Sequence, residues 1–142
     1  MATLFSRIIE GEIPGRFVWR DDRCVAFLTI APLHRGHVLV VPIQEVDHWL
    51  DLAPDLVAHL FTVAQTVGQA QMAAFSPARV GLIVAGLEVP HAHLHVVPID
   101  SEAELDFSNA DPDPSPASLD DAAEALRTAL GDAGRSEVVA EG

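Results

Sequence analysis

The sequence predicts one domain of mixed secondary structure, with a sheet of about five strands, one long helix and a short terminal helix. Three observations predict it: short β-branched apolar runs bounded by turn residues, one extended stretch with three- and four-residue apolar spacing, and a capped pattern near the C-terminus. The 142 residues are enough for a single hydrophobic core.

Taken in order, SRIIEGEIPG (6–15) sets Ile8, Ile9 and Ile13 at near-helical spacing before Pro and Gly, which predicts a short helix. FVWR (17–20) and CVAFL (24–28) flank DDR and predict a hairpin. HVLVVP (37–42) is β-branched and stopped by Pro42, the pattern of a buried central strand. From Pro54 to Phe75, Leu56, Leu60, Val63, Ala64, Val67, Met72 and Phe75 form an amphipathic stripe, with Pro54 at the first helical position and Asp55 in the first turn. RVGLIVAG (79–86) and HAHLHVVPI (91–99) complete the strands. Residues 101–118 are Pro-, Asp- and Ser-rich and read as a loop without a core of its own. Ser118 is the expected cap of a helix that Gly131 stops, and the residues beyond it lack periodicity and are expected to fray.

Eight Lys+Arg face 21 Asp+Glu, every basic residue is Arg, and the formal charge is −13. Such a surface repels polyanions, so duplex nucleic acid is not an expected partner, while a short anionic ligand can still meet a local cluster of donors. No apolar stretch approaches the roughly 20 residues of a membrane span, and Arg7, Glu10 and Glu12 interrupt the N-terminal region where an export signal would be apolar. The single Cys24 closes no intrachain disulfide. A cytoplasmic protein with no membrane partner is the expectation.

Side chains alternate along a strand, so His91, His93 and His95 share one face and Ala92, Leu94 and Val96 the other. Three imidazoles on one face are a costly way to pack, because each buried ring nitrogen needs a partner. One reading is a strand whose histidines meet solvent; a second is a zinc site with an open position for water. The third makes His93 a nucleophile toward phosphorus. One ring nitrogen attacks while the other donates to a fixed acceptor, and protonated neighbours donate to the phosphoryl oxygens.

HAHLHVV (91–97) resembles the signature of the histidine triad (HIT) family. FSRIIEGEIPG, DDRCVAFLTIAPLHRGHVLVVP, the long helix and EVPHAHLHVVP follow in the order of its Hint-like branch, a resemblance that covers residues 4 to about 99. The resemblance implies an α+β fold whose five-stranded antiparallel sheet extends across a homodimer. Residues 1–100 would form the catalytic domain, and the acidic Pro-rich loop, short helix and frayed end of 101–142 would pack on it. It also implies hydrolysis or nucleotidyl transfer at the α-phosphate of a purine nucleotide or nucleotide conjugate, such as a phosphoramidate, through a nucleotidyl-histidine and with no cofactor. His93 is then the expected nucleophile, His91 and His95 its flanking members, and His37 a fourth, supporting histidine.

Carried over in the same way, Leu4, Phe5, Ile8, Phe27, Ile30 and Leu39 match apolar positions around the base. Thr29 stands where relatives hold an Asp that grips the ribose, and one hydroxyl is a weaker clamp than a carboxylate. The stretch before the triad is shortened, and Glu88 within it is either an acid or base toward a leaving amine or a rim residue, with the rim favoured. Some relatives bind a structural zinc through Cys-x-x-Cys and two later histidines. Here the cysteine positions are Thr3 and Ser6, and His48 matches one of the histidines, so no structural zinc is expected. His34 and His59 lie outside the motif and are expected to be solvated. Two rival functions remain: a nucleotide-binding regulatory or scaffolding dimer with little catalysis, and a metal-dependent hydrolase.

Overall fold

A computed structural model describes residues 2–138. Its strands are β1 (Phe17–Arg20), β2 (Cys24–Leu28), β3 (Val38–Pro42), β4 (Arg79–Ile83) and β5 (Leu94–Ile99), and its helices α1 (Leu4–Ile9), α2 (Pro54–Phe75) and α3 (Pro116–Asp132). The strands form one antiparallel sheet in the order β1-β2-β3-β5-β4. The β1–β2 hairpin turns on Asp21, whose Oδ1 accepts from the Arg23 and Cys24 backbone N–H groups. Every residue of β2 and β3 is buried, as their unbroken apolar runs require.

The two faces of the sheet do different work. On one, α2 and α3 cover Val18, Ala26, Val38, Val40, Leu94 and Val96 with Leu60, Val63, Val67 and Leu126, giving the main core. On the other, α1 lays Phe5 and Ile8 against Phe17, Phe27 and Leu39, leaving a cavity beside them. Gln71 ties the faces together. It is fully buried on α2, and its amide N–H₂ donates to the carbonyls of Gly36 (2.9 Å) and Val96 (2.8 Å), next to His37 and His95. Gly36 has φ +86°, and a Cβ there would run into the Phe75 ring, so this turn needs glycine to deliver His37.

Several boundaries differ from expectation. The last strand starts at Leu94, not His91. The ladder with β3 ends at Val40–Leu94; Pro42, two residues further on, has no N–H to extend it, its carbonyl accepts from the His91 ring, and Ala92 N–H donates to the Val46 carbonyl. The first helix starts earlier than expected, because the Thr3 hydroxyl caps it by accepting from Ser6 N–H. The last helix also starts earlier, on a Ser115 cap with Pro116 in its first turn, and runs through Gly131 to Asp132. The 101–118 segment carries short 3-10 turns at Glu102–Glu104 and Phe107–Asn109, and Leu105 and Ala110 pack on Val97, Ile99 and Leu33. Fraying after Gly131 is corrected up to residue 138: the Glu137 carbonyl accepts from Arg20 N–H, and Val138 packs on the core. Residues 139–142 of that expected frayed end lie outside the described residues. Among the described residues, no helix is long and apolar enough to cross a membrane.

Candidate active site

A cavity of about 430 Å³ opens on the α1 face of the sheet. Its walls come from α1, β2, β3, the 85–89 loop, β5 and the Phe107 turn. Leu4, Phe5, Ile8, Phe27, Thr29, Ile30, Leu39 and Glu88 all line it, together with His93 and His95. His37 and His91 stand behind the wall, 2% and 0% exposed.

The hydrogen bonds assign the protons of three rings. Leu33 N–H donates to His37 Nδ1 (3.1 Å), so the proton of the neutral His37 ring sits on Nε2, and Nε2–H donates to His95 Nδ1 (2.9 Å). The His95 proton is thereby on Nε2, the nitrogen left to the cavity. His93 Nδ1 lies 2.7 Å from the His91 carbonyl oxygen, which only accepts, so Nδ1 carries the proton and Nε2 keeps a free lone pair. The His93 and His95 rings meet edge to face, their centroids 4.8 Å apart. One cavity therefore holds a nucleophilic nitrogen beside an N–H donor.

Burial keeps these rings neutral, since it penalises the imidazolium. It lowers His37 to about 3, helped by the nearby His95 and His93, and lowers His95 to about 4, helped by His93. Burial also lowers His93, although its bond to the His91 carbonyl and the nearby Glu88 carboxylate pull the other way. The expected protonated flanking donor is thus a neutral N–H at His95.

His91 departs further from expectation. Its Nε2 donates to the Pro42 carbonyl (2.7 Å) and its Nδ1 lies 2.8 Å from Thr3 Oγ1. Both ring nitrogens are used by the protein, and what His91 offers to the site is its carbonyl. Because its ring is turned away, the three triad imidazoles do not converge on one ion.

Nor does the pattern of a structural zinc fit. The Thr3 hydroxyl engages His91, the Ser6 hydroxyl donates to Glu45 (2.7 Å), and His48 is exposed, so two hydroxyls stand where thiolates would be needed. Two other clusters carry metal-type ligands, Asp21–Cys24–His59 and His34–Asp100–Glu104, both outside the cavity wall. In the first, Asp21 Oδ2 accepts from Trp19 Nε1–H (2.8 Å) and the Cys24 thiol and lies 2.8 Å from His59 Nε2. Burial pushes the Asp21 carboxyl up, but the bonds from Trp19, the Arg23 and Cys24 backbone N–H groups and His59 outweigh it and hold the carboxyl down at about 2. The expectation of solvated His34 and His59 is corrected: both are half-buried, His59 against Asp21 and His34 within 4 Å of Asp100 and Glu104.

Thr29 lies on the cavity wall and its hydroxyl oxygen accepts from Ala31 N–H (3.2 Å), leaving one O–H to donate. Glu88 is exposed at the rim. Sequence reasoning missed Arg16 and Phe107 as cavity residues. Arg16 follows IPG and had no motif to flag it. Phe107 belongs to a segment that reads as loop, and its lone aromatic side chain among acids was the available signal.

The HIT domain family profile matches residues 10–102, and the chain belongs to that family. An uncharacterized HIT-like protein of Saccharolobus solfataricus is 33% identical over 100 residues, 67% of this chain and 72% of that one. A bis(5'-nucleosyl)-tetraphosphatase (asymmetrical) of Schizosaccharomyces pombe is 35% identical over 91 residues, 61% of this chain and 50% of that protein. The crystal structure of a Zn-bound histidine triad family protein from Mycobacterium smegmatis superposes with a TM-score of 0.82 at 27% identity, covering 94% of this chain and 96% of that one.

Proposed function

We propose that the protein is a nucleotide-binding hydrolase or nucleotidyl transferase acting at the α-phosphate of a purine nucleotide conjugate, a phosphoramidate or a related compound. The observation that carries this reading is the free Nε2 of His93 beside the Nε2–H of His95 on one cavity wall. The nucleotide class is supported by the name of the S. pombe relative.

In the proposed cycle, His93 Nε2 attacks phosphorus and the bond from phosphorus to the leaving nitrogen breaks. The leaving amine takes a proton from solvent at the open mouth. The nucleotidyl-imidazolium keeps its Nδ1–H on the His91 carbonyl, which stabilises the new positive charge. His95 Nε2–H donates to a phosphoryl oxygen as negative charge grows there. Water then cleaves the N–P bond, releasing the nucleoside monophosphate and a proton and restoring neutral His93. His37 and His91 position these two rings and touch no substrate.

The test is turnover of adenosine 5'-phosphoramidate. We expect His93→Ala to lower it about 10³-fold or more with the fold intact by circular dichroism. Full turnover by that variant removes His93 from the role. A second reading, nucleotide binding without useful catalysis, draws on the single hydroxyl of Thr29 and the exposed 85–88 rim. Calorimetric binding of AMP without turnover of any conjugate selects it.

The homodimer belongs to the same proposal. β4 is an edge strand, and beside it lies an apolar groove where Phe61, Met72 and Leu82 are 41%, 42% and 44% exposed. A second copy laying the same strand and helix there would extend the sheet and cover these side chains. Light scattering is expected to give twice the 15.2 kDa chain mass, and a monomer at micromolar concentration contradicts it.

A further inference from the structure

The two clusters of metal-type donors outside the cavity differ in whether their donor atoms are already used. In Asp21–Cys24–His59 they are: Asp21 Oδ2 accepts from Trp19 Nε1–H and the Cys24 thiol and meets His59 Nε2, and Oδ1 accepts from two backbone N–H groups. In His34–Asp100–Glu104 each side chain is anchored through one atom and leaves another unclaimed. His34 Nδ1 lies 2.9 Å from the Arg35 carbonyl oxygen, which only accepts, so Nδ1 carries a proton and Nε2 is the nitrogen left over. Asp100 Oδ1 accepts from Ala78 N–H (2.9 Å), and Glu104 Oε1 accepts from the N–H groups of Asp100 (2.8 Å) and Ser101 (3.1 Å).

The atoms left over face one another. His34 Nε2 stands 3.7 Å from Asp100 Oδ2 and 3.9 Å from Glu104 Oε2. Both separations are too long for hydrogen bonds, and they match the roughly 3 to 4 Å between two donors that each bind one ion at about 2.1 Å. Two carboxylates and a neutral imidazole carry two negative charges, which a divalent cation offsets. Among the described residues, no arginine lies within 4 Å of either carboxylate, and the charge of −13 on the chain draws cations to its surface. The His34 and Glu104 side chains are 24% and 27% exposed and Asp100 is 65% exposed, so the fold holds two of the donors while the third opens to solvent.

We propose that His34, Asp100 and Glu104 bind one divalent transition-metal ion of the zinc class, with water in its remaining positions. The imidazole selects such an ion over calcium and magnesium, which prefer oxygen. The site shares no residue with the zinc pattern of relatives, which falls here on Thr3, Ser6 and His48. It clips together two loops that both lead to His95. The His34 carbonyl accepts from His37 N–H (3.2 Å), and the His37 ring in turn donates to His95. Asn109 donates to the Ala103 carbonyl (2.8 Å), tying the Glu102–Glu104 turn to the turn whose Phe107 ring packs on His95, centroids 5.0 Å apart. The ion touches no reacting atom and steadies both supports of the His95 ring.

The test is calorimetric titration of Zn²⁺ into the full chain after stripping with EDTA, with thermal unfolding measured in parallel. One ion per chain is expected, with the midpoint raised by about 5 °C at saturation and no competition from calcium. Asp100→Asn and Glu104→Gln keep an oxygen to accept from the backbone N–H groups and lose the ligating charge. Each is expected to weaken Zn²⁺ binding about tenfold or more, and His34→Ala to abolish it, whereas His59→Ala and His93→Ala keep it. Metal-free midpoints within about 3 °C of wild type show that the variants fold. Binding that survives His34→Ala, or that is lost in His59→Ala or His93→Ala, puts the ion elsewhere and overturns the proposal. Absence of saturable binding by the wild type overturns it as well and leaves the three groups a surface ion pair. Each outcome is read from binding and stability, so the proposal stands or falls apart from turnover at His93.

Discussion

The two outer histidines of the triad share a residue type and a spacing from His93, yet the protein uses them in opposite ways. His91 is fully buried, with one ring nitrogen on the Pro42 carbonyl and the other against Thr3. His95 is half-buried, with one nitrogen held by His37 and the other turned to the cavity. The difference lies in their supports. His95 sits in the ladder between β3 and β4, paired with Leu39 and Ile83. His91 precedes the strand, beyond the point where Pro42 stops the ladder, and is fixed through its ring. A repeated motif thus yields one donor facing the cavity and one brace whose carbonyl sets the His93 tautomer.

The largest test of this contrast is at the cavity end. His95→Asn keeps an amide near His37 but removes the Nε2 donor, and we expect kcat to fall about 10²-fold, as for loss of one preorganised donor to a developing oxyanion. A loss below threefold would show that His95 gives nothing to the transition state.

Titration sharpens the comparison. His37 at about 3 and His95 at about 4 bind protons less readily in the fold than at the ordinary 6.5. Between 6.5 and about 3 the unfolded chain therefore holds more protons, and the contribution of this pair to stability, complete above pH 6.5, is lost as pH falls through that window. The measurement is the difference in thermal midpoint between wild type and His37→Gln, whose amide keeps a donor toward His95. The variant should lose less stability from pH 7 to pH 4.5, and parallel curves would contradict the buried neutral pair.

The smallest effect is expected at the brace. Thr3→Val leaves His91 Nδ1 without its hydroxyl and also removes the cap of α1, together costing about 1 to 3 kcal/mol of stability in denaturant unfolding, so the effect is smallest in turnover rather than in stability. Turnover should fall only modestly, because the His91 carbonyl is still held by the bond to Pro42. A collapse of kcat with unchanged stability would assign Thr3 to the chemistry.

Much of the fold was legible because its signals are local. Pro54 and Phe75 bound α2 as the apolar stripe implies, and the β-branched runs of β2 and β3 mark the sheet centre. Ends were misjudged where a distant partner decides them, as when Pro42 cuts β5 short at Leu94. The same holds at the site. Alternation brought His93 and His95 to one wall but misplaced His91, which precedes the strand with its ring buried behind that wall, and the family resemblance supplied the apolar lining. Nothing local says that Leu33 N–H selects the His37 tautomer, that Gln71 reaches across to Gly36 and Val96, or that an acidic loop brings Phe107 to His95. Those depend on contacts between residues far apart in the chain.

The proposed cycle depends on the lone pair of His93 Nε2 reaching phosphorus. Rapid quenching of wild-type protein during turnover of an adenosine phosphoramidate, followed by peptide mass spectrometry, tests it most directly. An acid-labile adenylyl group is expected on the peptide carrying His93 and absent from His93→Ala. An adduct on another residue, or steady turnover by His93→Ala, would contradict it.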